Sequence, residues 1–429
     1  MNFKRIEQLL FYLLIFSIPF QTRKILWQQS WYFNEWQSIS LYATDLLLLA
    51  LFGFWLFKVK NFKFKFSKAD YFLLAFIAVS AISLKNSSNA ILGSYNLVKL
   101  IEFAAFYFYL KTYAVYKFGF TNTLWVLICG GLFQSVIAVW QFLGQSDVGL
   151  KILGESLLGS DMAGIASFFN TQGEKVIRAY GTTPHPNVLA AYLFLSIFCV
   201  YFIWFYKKVR HEYLLWVGYA LLFFAFFFTF ARVAIFLVGM NFIIRGLLLT
   251  FRFKGKFWRG KALKVVWVTG LIILAFAALY WPEAASRLTI SGQDEAVQLR
   301  MFYNSESLKS LNWLGVGPGN FVNWLMAEDP NLPRHLYQPV HNVYLLIFSE
   351  IGILGIFTFI AFLVFLVRDF ILRTKMERFH HYSVMLVFSS FLFMGLFDHY
   401  LWTIQQGRFI LWLILAILTI DENDDIIPS

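Results

Sequence analysis

Twelve predominantly apolar stretches alternate with polar segments along the chain, most of them close to the roughly 20 residues a helix needs to cross a bilayer's hydrocarbon core and the first and last shorter. They centre on 9–20, 41–57, 69–85, 90–110, 122–144, 186–206, 213–231, 233–250, 263–280, 342–367, 383–397 and 408–420. The first resembles a signal-peptide core, but no small-residue cleavage site follows SIPFQTRK, so it reads as a membrane helix. Polar residues collect in two long loops, 145–185 and 281–340. The second holds SGQDEAVQLRMFYNSESLKSL, at helix-compatible spacing, and GVGPGN, a tight turn whose amides could also form an anion nest. The pattern predicts an all-α polytopic integral membrane protein: about 12 transmembrane helices in a single membrane domain over 1–429, with an external helical cap at 281–340.

Composition sharpens this. With 429 residues, 59% hydrophobic and only 14% charged, the chain has too little charge for a soluble protein of its length. Its 52 Phe, 21 Tyr and 15 Trp exceed what interfacial belts require, which predicts aromatic core packing with sugar stacking as a second use. Cys129 and Cys199 lie inside apolar runs and read as neither disulfide partners nor metal ligands. The net charge of +12 does not imply nucleic acid, because in a membrane protein the placement of charge matters more than its sum. With the N-terminus inside, 23 of the 36 Lys and Arg fall on the inner side, in segments such as KVKNFKFKFSK (58–68), KKVRHE (207–212), RFKGKFWRGKALK (251–264) and RDFILRTKMERFHH (368–381). That bias sets the orientation. Lys99 and Glu102, three apart within a span, predict an intramembrane pair.

The exceptions to the bias carry the candidate chemistry. Arg178, Arg232, Arg300 and His341 fall at or near the outer surface in this topology. Singly, an interfacial arginine binds lipid head groups or caps a helix, and a lone histidine at a helix start satisfies a local hydrogen bond. Several arginines at one surface can instead grip a phosphate or diphosphate, because guanidinium forks pair with phosphate oxygens. In HNVYLLIFSEIGILG (341–355), an unbroken helix places His341, Leu345, Phe348, Gly352 and Gly355 on one face. Glu350 then lies on the opposite face as a structural polar contact, and the two glycines admit a neighbouring helix beneath the histidine.

The residues His341, Asn342, Gly352 and Gly355 in this segment resemble the His-Asn/Ser/Gln, nine residues, Gly-x-x-Gly signature of the O-antigen ligase and O-antigen polymerase family. RAYGTTPHPNVLAAY, TFARVA and LRMFYNSESLKSLNWLGVGPGNF resemble three further family motifs, in order, across about residues 175–360. Ala231 departs from the serine common before the family arginine, with Thr229 nearby. The resemblance implies a GT-C-like membrane glycosyltransferase of the cytoplasmic (inner) membrane, active on its outer, periplasmic face. It would take a glycan from an undecaprenyl-diphosphate donor and pass it to an acceptor hydroxyl on lipid A-core, glycan or protein. The family's roles, carried over, give Arg232 and Arg300 to the donor diphosphate with Arg178 as a weaker addition, His341 to the reaction centre, and no metal or cofactor. The chemistry is compatible: arginines can stabilise a diphosphate leaving group, and a histidine suits proton transfer from a hydroxyl. Loop 21–40 has only Glu35 as an acid and no Asp-x-Asp. A polysaccharide polymerase or protein O-oligosaccharyltransferase with the same donor, a lipid-linked sugar flippase and a non-catalytic scaffold are the competing readings.

Overall fold

A computed structural model describes residues 3–59, 66–207, 209–252, 256–288, 295–374 and 378–420. Residues 1–2, parts of the four basic segments (60–65, 208, 253–255, 375–377), residues 289–294 of the cap and the acidic tail from 421 lie outside the described residues.

Every predicted span falls on a helix. The first half of the chain gives α1 (Phe3–Phe16), α2 (Ala43–Val59), α3 (Lys68–Ser83), α4 (Ala90–Tyr109), the short α5 (Val115–Phe118) and α6 (Phe120–Gly144). The next group is α7 (Pro186–Tyr206), α8 (Glu212–Phe228), α9 (Arg232–Phe251) and α10 (Lys256–Leu279). The cap follows as α11 (Trp281–Leu288), α12 (Glu295–Lys309) and α13 (Phe321–Glu328). The chain then completes α14 (Val343–Thr374), α15 (Phe379–Met394), α16 (Tyr400–Thr403) and α17 (Gln405–Ile417). Among the described residues seven helical segments are long and apolar enough to cross a membrane, and four more are apolar but shorter. The chain is thus a multi-pass membrane protein, and the prediction of twelve crossings exceeds what helix length alone carries.

Two helices form the centre. Nineteen of the 21 residues of α7 and eleven of the thirteen of α17 are buried, which is why both read as apolar all round rather than amphipathic. The outer helices instead expose large apolar side chains, such as Leu46 and Leu49 of α2, Trp267 and Leu274 of α10, and Phe357 and Val364 of α14, as lipid-facing surfaces do. Rings fill the interior: Phe103 and Phe106 of α4 both pack edge-on against Phe409 of α17.

Charged anchors hold the end of the bundle remote from the cap. Buried Glu7 accepts from Tyr113 at 2.6 Å and pairs with Lys117, while Asp70 caps α3 and pairs with Lys111. The opposite end is where the long loops meet. Gln37 bonds Asn323 of the cap, and the Asn320 carboxamide accepts from the Asn89 backbone at 2.8 Å. The cap has its own small core, Tyr303, Phe321, Val322, Leu325, Tyr337, Val340 and Leu346.

Two features depart from the all-α expectation. Loop 21–40 contains a two-stranded antiparallel sheet, β1 (Arg23–Gln28) with β2 (Ser38–Tyr42), clamped by an Arg23–Glu35 ion pair. β2 alternates buried and half-buried positions, the period of a strand lying on a core. Loop 145–185 holds a second hairpin, β3 (Ser167–Phe169) with β4 (Lys175–Ile177).

The third departure is inside α14. Gly352 adopts φ +80°, so the helix is broken there and does not run on through 341–355. His341 and Asn342 precede the helix, and the common face expected for His341, Gly352 and Gly355 does not exist. Residues 312–317 cross the break. Val316 and Gly317 donate their N–H groups to the carbonyls of Ser349 and Glu350, and Ile353 and Leu354 donate to those of Asn312 and Trp313. Those backbone groups, orphaned by the broken helix, are thus satisfied by a loop instead of by lipid-inaccessible water. Gly352 admits this loop rather than a second helix: a Cβ there would sit 2.4 Å from the Trp313 backbone. Glu350 accepts from the backbone N–H groups of Gly319 and Phe321, so the amides at the end of GVGPGN hold the protein's own carboxylate.

Candidate functional site

The site forms where several chain segments meet at the cap end. His341 is delivered by the turn entering α14. Asn342 caps that helix, its side-chain oxygen accepting from Tyr344 and Leu345 N–H at 2.9 and 3.1 Å. Val343 N–H donates to Gly395 O at 2.7 Å, which locks this turn to the loop after α15. That loop carries Asp398 and His399, and the ring of His399 lies 4.9 Å from that of His341. The Tyr303 ring covers His341 from the cap at 5.3 Å, and Trp36 meets His399 edge-on at 4.9 Å.

Asp398 is the hub. One oxygen lies 3.8 Å from His341 Nδ1 and accepts from the His399 backbone N–H at 2.8 Å. The other accepts from Asn187 Nδ2 at 2.8 Å. Asn187 is the second residue of α7, whose N-cap is His185: His185 Nδ1 accepts the Asn187 N–H at 3.2 Å, and Pro186 occupies the first helical position. Asn187 Oδ1 in turn accepts from Arg178 Nη2 at 2.6 Å, and Arg178 Nε donates to Thr229 O at the same distance. A chain therefore runs Thr229–Arg178–Asn187–Asp398–His341, one member from each of five segments.

Electrostatics follow from burial. Burial lowers His399 to about 3 and His185 to about 4, so both are neutral at physiological pH, with nearby positive charge reinforcing the effect. Burial alone would raise the Asp398 carboxyl, yet the adjacent His341 and the imidazoles of His399 and His185 hold it far below the usual carboxylate range. Arg178 drops to about 9 through burial and through the like charges of Arg287 and Arg232.

The arginines differ in placement. Arg232 starts α9, immediately after a sharp turn in which Phe230 takes φ +45°, a strained value for a bulky residue, held by packing of its ring on Phe142 and Phe168. It is half-buried and close enough for its charge to act on Arg178. Arg300, on α12, donates from Nε to Phe397 O at 3.0 Å, next to Asp398, and its charge acts on His185. Arg178 has two of its three guanidinium nitrogens engaged by protein and lies deeper. The cap end thus gathers Arg178, Arg232, Arg300 and His341. Gly352 and Gly355 stand apart, building the helix below. Sequence reading missed Asp398, His399, His185 and Asn187. The signal for the first pair was an acid and a histidine in FDHY, between two apolar spans.

His341, Asp398 and His399 each offer a ligand atom within 4.8 Å of the others, a spacing that also suits a cation. The hydrogen bonds already described give the same groups a second explanation, as an oriented acid–imidazole pair, with His399 Nδ1 taken by Thr403 Oγ1 at 2.7 Å.

No curated protein matches the chain. The family model described as O-Antigen ligase matches residues 217–360, a stretch that includes Arg232, Arg300, His341, Asn342, Gly352 and Gly355 but not Arg178. That match, over about a third of the chain, lies across several of the motifs that meet at the cap end, and there the chain is similar to the O-antigen ligase family.

Proposed function

We propose that the protein transfers a glycan from an undecaprenyl-diphosphate donor to an acceptor hydroxyl at the outer face of the cytoplasmic membrane, without a metal. The observation that carries this reading is the alignment of Asn187, Asp398 and His341. Asp398 faces Nδ1 of His341, which leaves Nε2 for the acceptor hydroxyl. The acceptor oxygen forms the new bond to the anomeric carbon as its proton passes to Nε2. The bond from that carbon to the diphosphate oxygen breaks, and undecaprenyl diphosphate leaves with the electron pair. Asp398 stabilises the imidazolium that results, and Arg232 and Arg300 balance the charge on the leaving diphosphate. Arg178 orients Asn187 and adds its remaining nitrogen to the anionic side. A lipid-tailed donor accounts for a reaction centre at a membrane surface.

The test is transfer by the purified chain in lipid nanodiscs, given undecaprenyl-diphosphate glycan and acceptor. Product should form in EDTA as in buffer. His341→Ala should abolish product while keeping donor binding. Arg232→Ala and Arg300→Ala should each weaken donor binding by about 1.5–3 kcal/mol, the usual loss for a charged hydrogen bond. Transfer at the parental rate by His341→Ala removes the histidine from the mechanism, and loss of product in EDTA assigns the His341–Asp398–His399 cluster to a metal. Lipid movement across vesicles without transfer would favour the flippase reading.

A further inference from the structure

A second polar chamber lies beside the histidine cluster. It is a partly open cavity between α4, α17, the β1–β2 hairpin and α13. Its wall is part aromatic, with Trp36, Tyr95 and Trp402, and part polar.

The charges around it are already matched. Lys99 pairs with Asp45 at 2.6 Å and Glu102 at 2.9 Å, the second as the sequence predicts and the first a partner it did not reveal. Arg408 donates to Trp402 O at 2.6 Å and Asn96 Oδ1 at 3.1 Å, its charge is faced by those of Glu102 and Glu350, and two backbone amides also hold Glu350. No surplus positive charge is left to recruit a phosphate. The wall keeps uncharged polar side chains, among them Ser38, Asn96 and Thr403, beside its aromatic rings. Aromatic faces beside neutral polar groups and balanced charge are the requirements of an uncharged sugar ring.

The chamber also adjoins the reaction centre. Trp36 and Thr403 belong to its wall, and the same two side chains contact His399. We propose that this cavity is a subsite for an uncharged sugar residue of the acceptor glycan, seated there while the arginines hold the donor. The assignment to the acceptor rests on the transfer reading above; the affinity for sugar does not.

Two variants fill the chamber without touching its charges: Val322→Phe from α13 and Leu100→Phe from α4. The full-length chain in nanodiscs is probed by saturation-transfer NMR with neutral di- and trisaccharides of hexose, deoxyhexose and N-acetylhexosamine, and with their uronic acid counterparts. At least one neutral saccharide should bind the parent, and the uronates should not. Binding should survive His341→Ala and fall at least tenfold in whichever filling variant melts at the parental temperature. In transfer assays the same variant should raise the acceptor KM at least tenfold at constant donor KM. A rise in donor KM alone overturns the acceptor assignment and gives the sugar to the donor. Saccharide binding unchanged by both fillings, or absent from the parent, overturns the subsite and leaves a water-filled chamber. If nothing is transferred but the fillings abolish binding, the transfer reading fails while the subsite stands.

Discussion

Asp398 has to do its work through His341, because its oxygens are committed to Asn187, to the His399 backbone and to the face of the imidazole. Asp398→Asn keeps the shape and removes the charge. Transfer should fall on the order of 10²-fold or more, with donor binding within about twofold of the parent, as expected when an orienting partner of a proton acceptor is lost. Single-turnover kinetics check this. The neutral histidines set a pH dependence of stability. His185 and His399 titrate near 6.5 in the unfolded chain but at about 4 and 3 when folded. Below about pH 6.5 the unfolded chain binds protons that the folded one refuses, so stability falls with pH through that window and levels off near 4 and 3. Asp398 has the depressed folded value of a stabilised carboxylate, so its contribution persists down to its unfolded value near 3.9 and is lost only below it. Melting temperature should therefore drop between pH 7 and 5, and less in His185→Asn, which retains an N-cap acceptor without the titration. Thermal scans against pH decide it. At this scale the sequence revealed the outlying arginines and His341, since each broke the apolar pattern or the charge bias. Asp398 interrupts the apolar pattern in FDHY, but nothing in the sequence pairs it with His341 or Asn187, which lie 57 and 211 residues away, and only the fold joins them.

At the scale of the element, helices were legible and their interruptions were not. Apolar runs located the twelve long helices α1–α4, α6–α10, α14, α15 and α17, because lipid and core demand the same residues, whereas a break at Gly352 requires knowing that residues 312–317 come to satisfy it. The glutamate inside the span is explained by the same contact, since its carboxylate holds the turn that crosses the helix. Gly352→Ala forces a Cβ into the Trp313 backbone at a positive φ and should destabilise the protein by at least about 2 kcal/mol. The same change at Gly239 of α9, where a Cβ meets nothing within 4 Å, should leave the melting temperature almost unchanged. Side-by-side melting curves of the two variants separate local strain from general sensitivity. The hairpin β1–β2 was likewise invisible, because its stretch is short and its strand period shows only against the core it covers.

Across the whole molecule, alternation of loops between two ends follows from the order of apolar and polar segments alone, and the cap's position from the length of 281–340. Sidedness is testable on that basis. Met162, 44% exposed in the loop between α6 and α7, and Tyr213, 64% exposed at the start of α8, lie at opposite ends. In a background with Cys129 and Cys199 replaced by Ala, Met162→Cys should react with an impermeant maleimide on intact cells. Tyr213→Cys should react only after permeabilisation. The reverse pattern would place the histidine cluster inside. The crossing of residues 312–317 over α14 has a mechanical result as well. It staples the external layer to the interior through main-chain bonds on both sides of a glycine, so neither layer has a complete bonding pattern without the other. Cap and bundle should consequently come apart in one cooperative step, with no partially peeled form populated on the way.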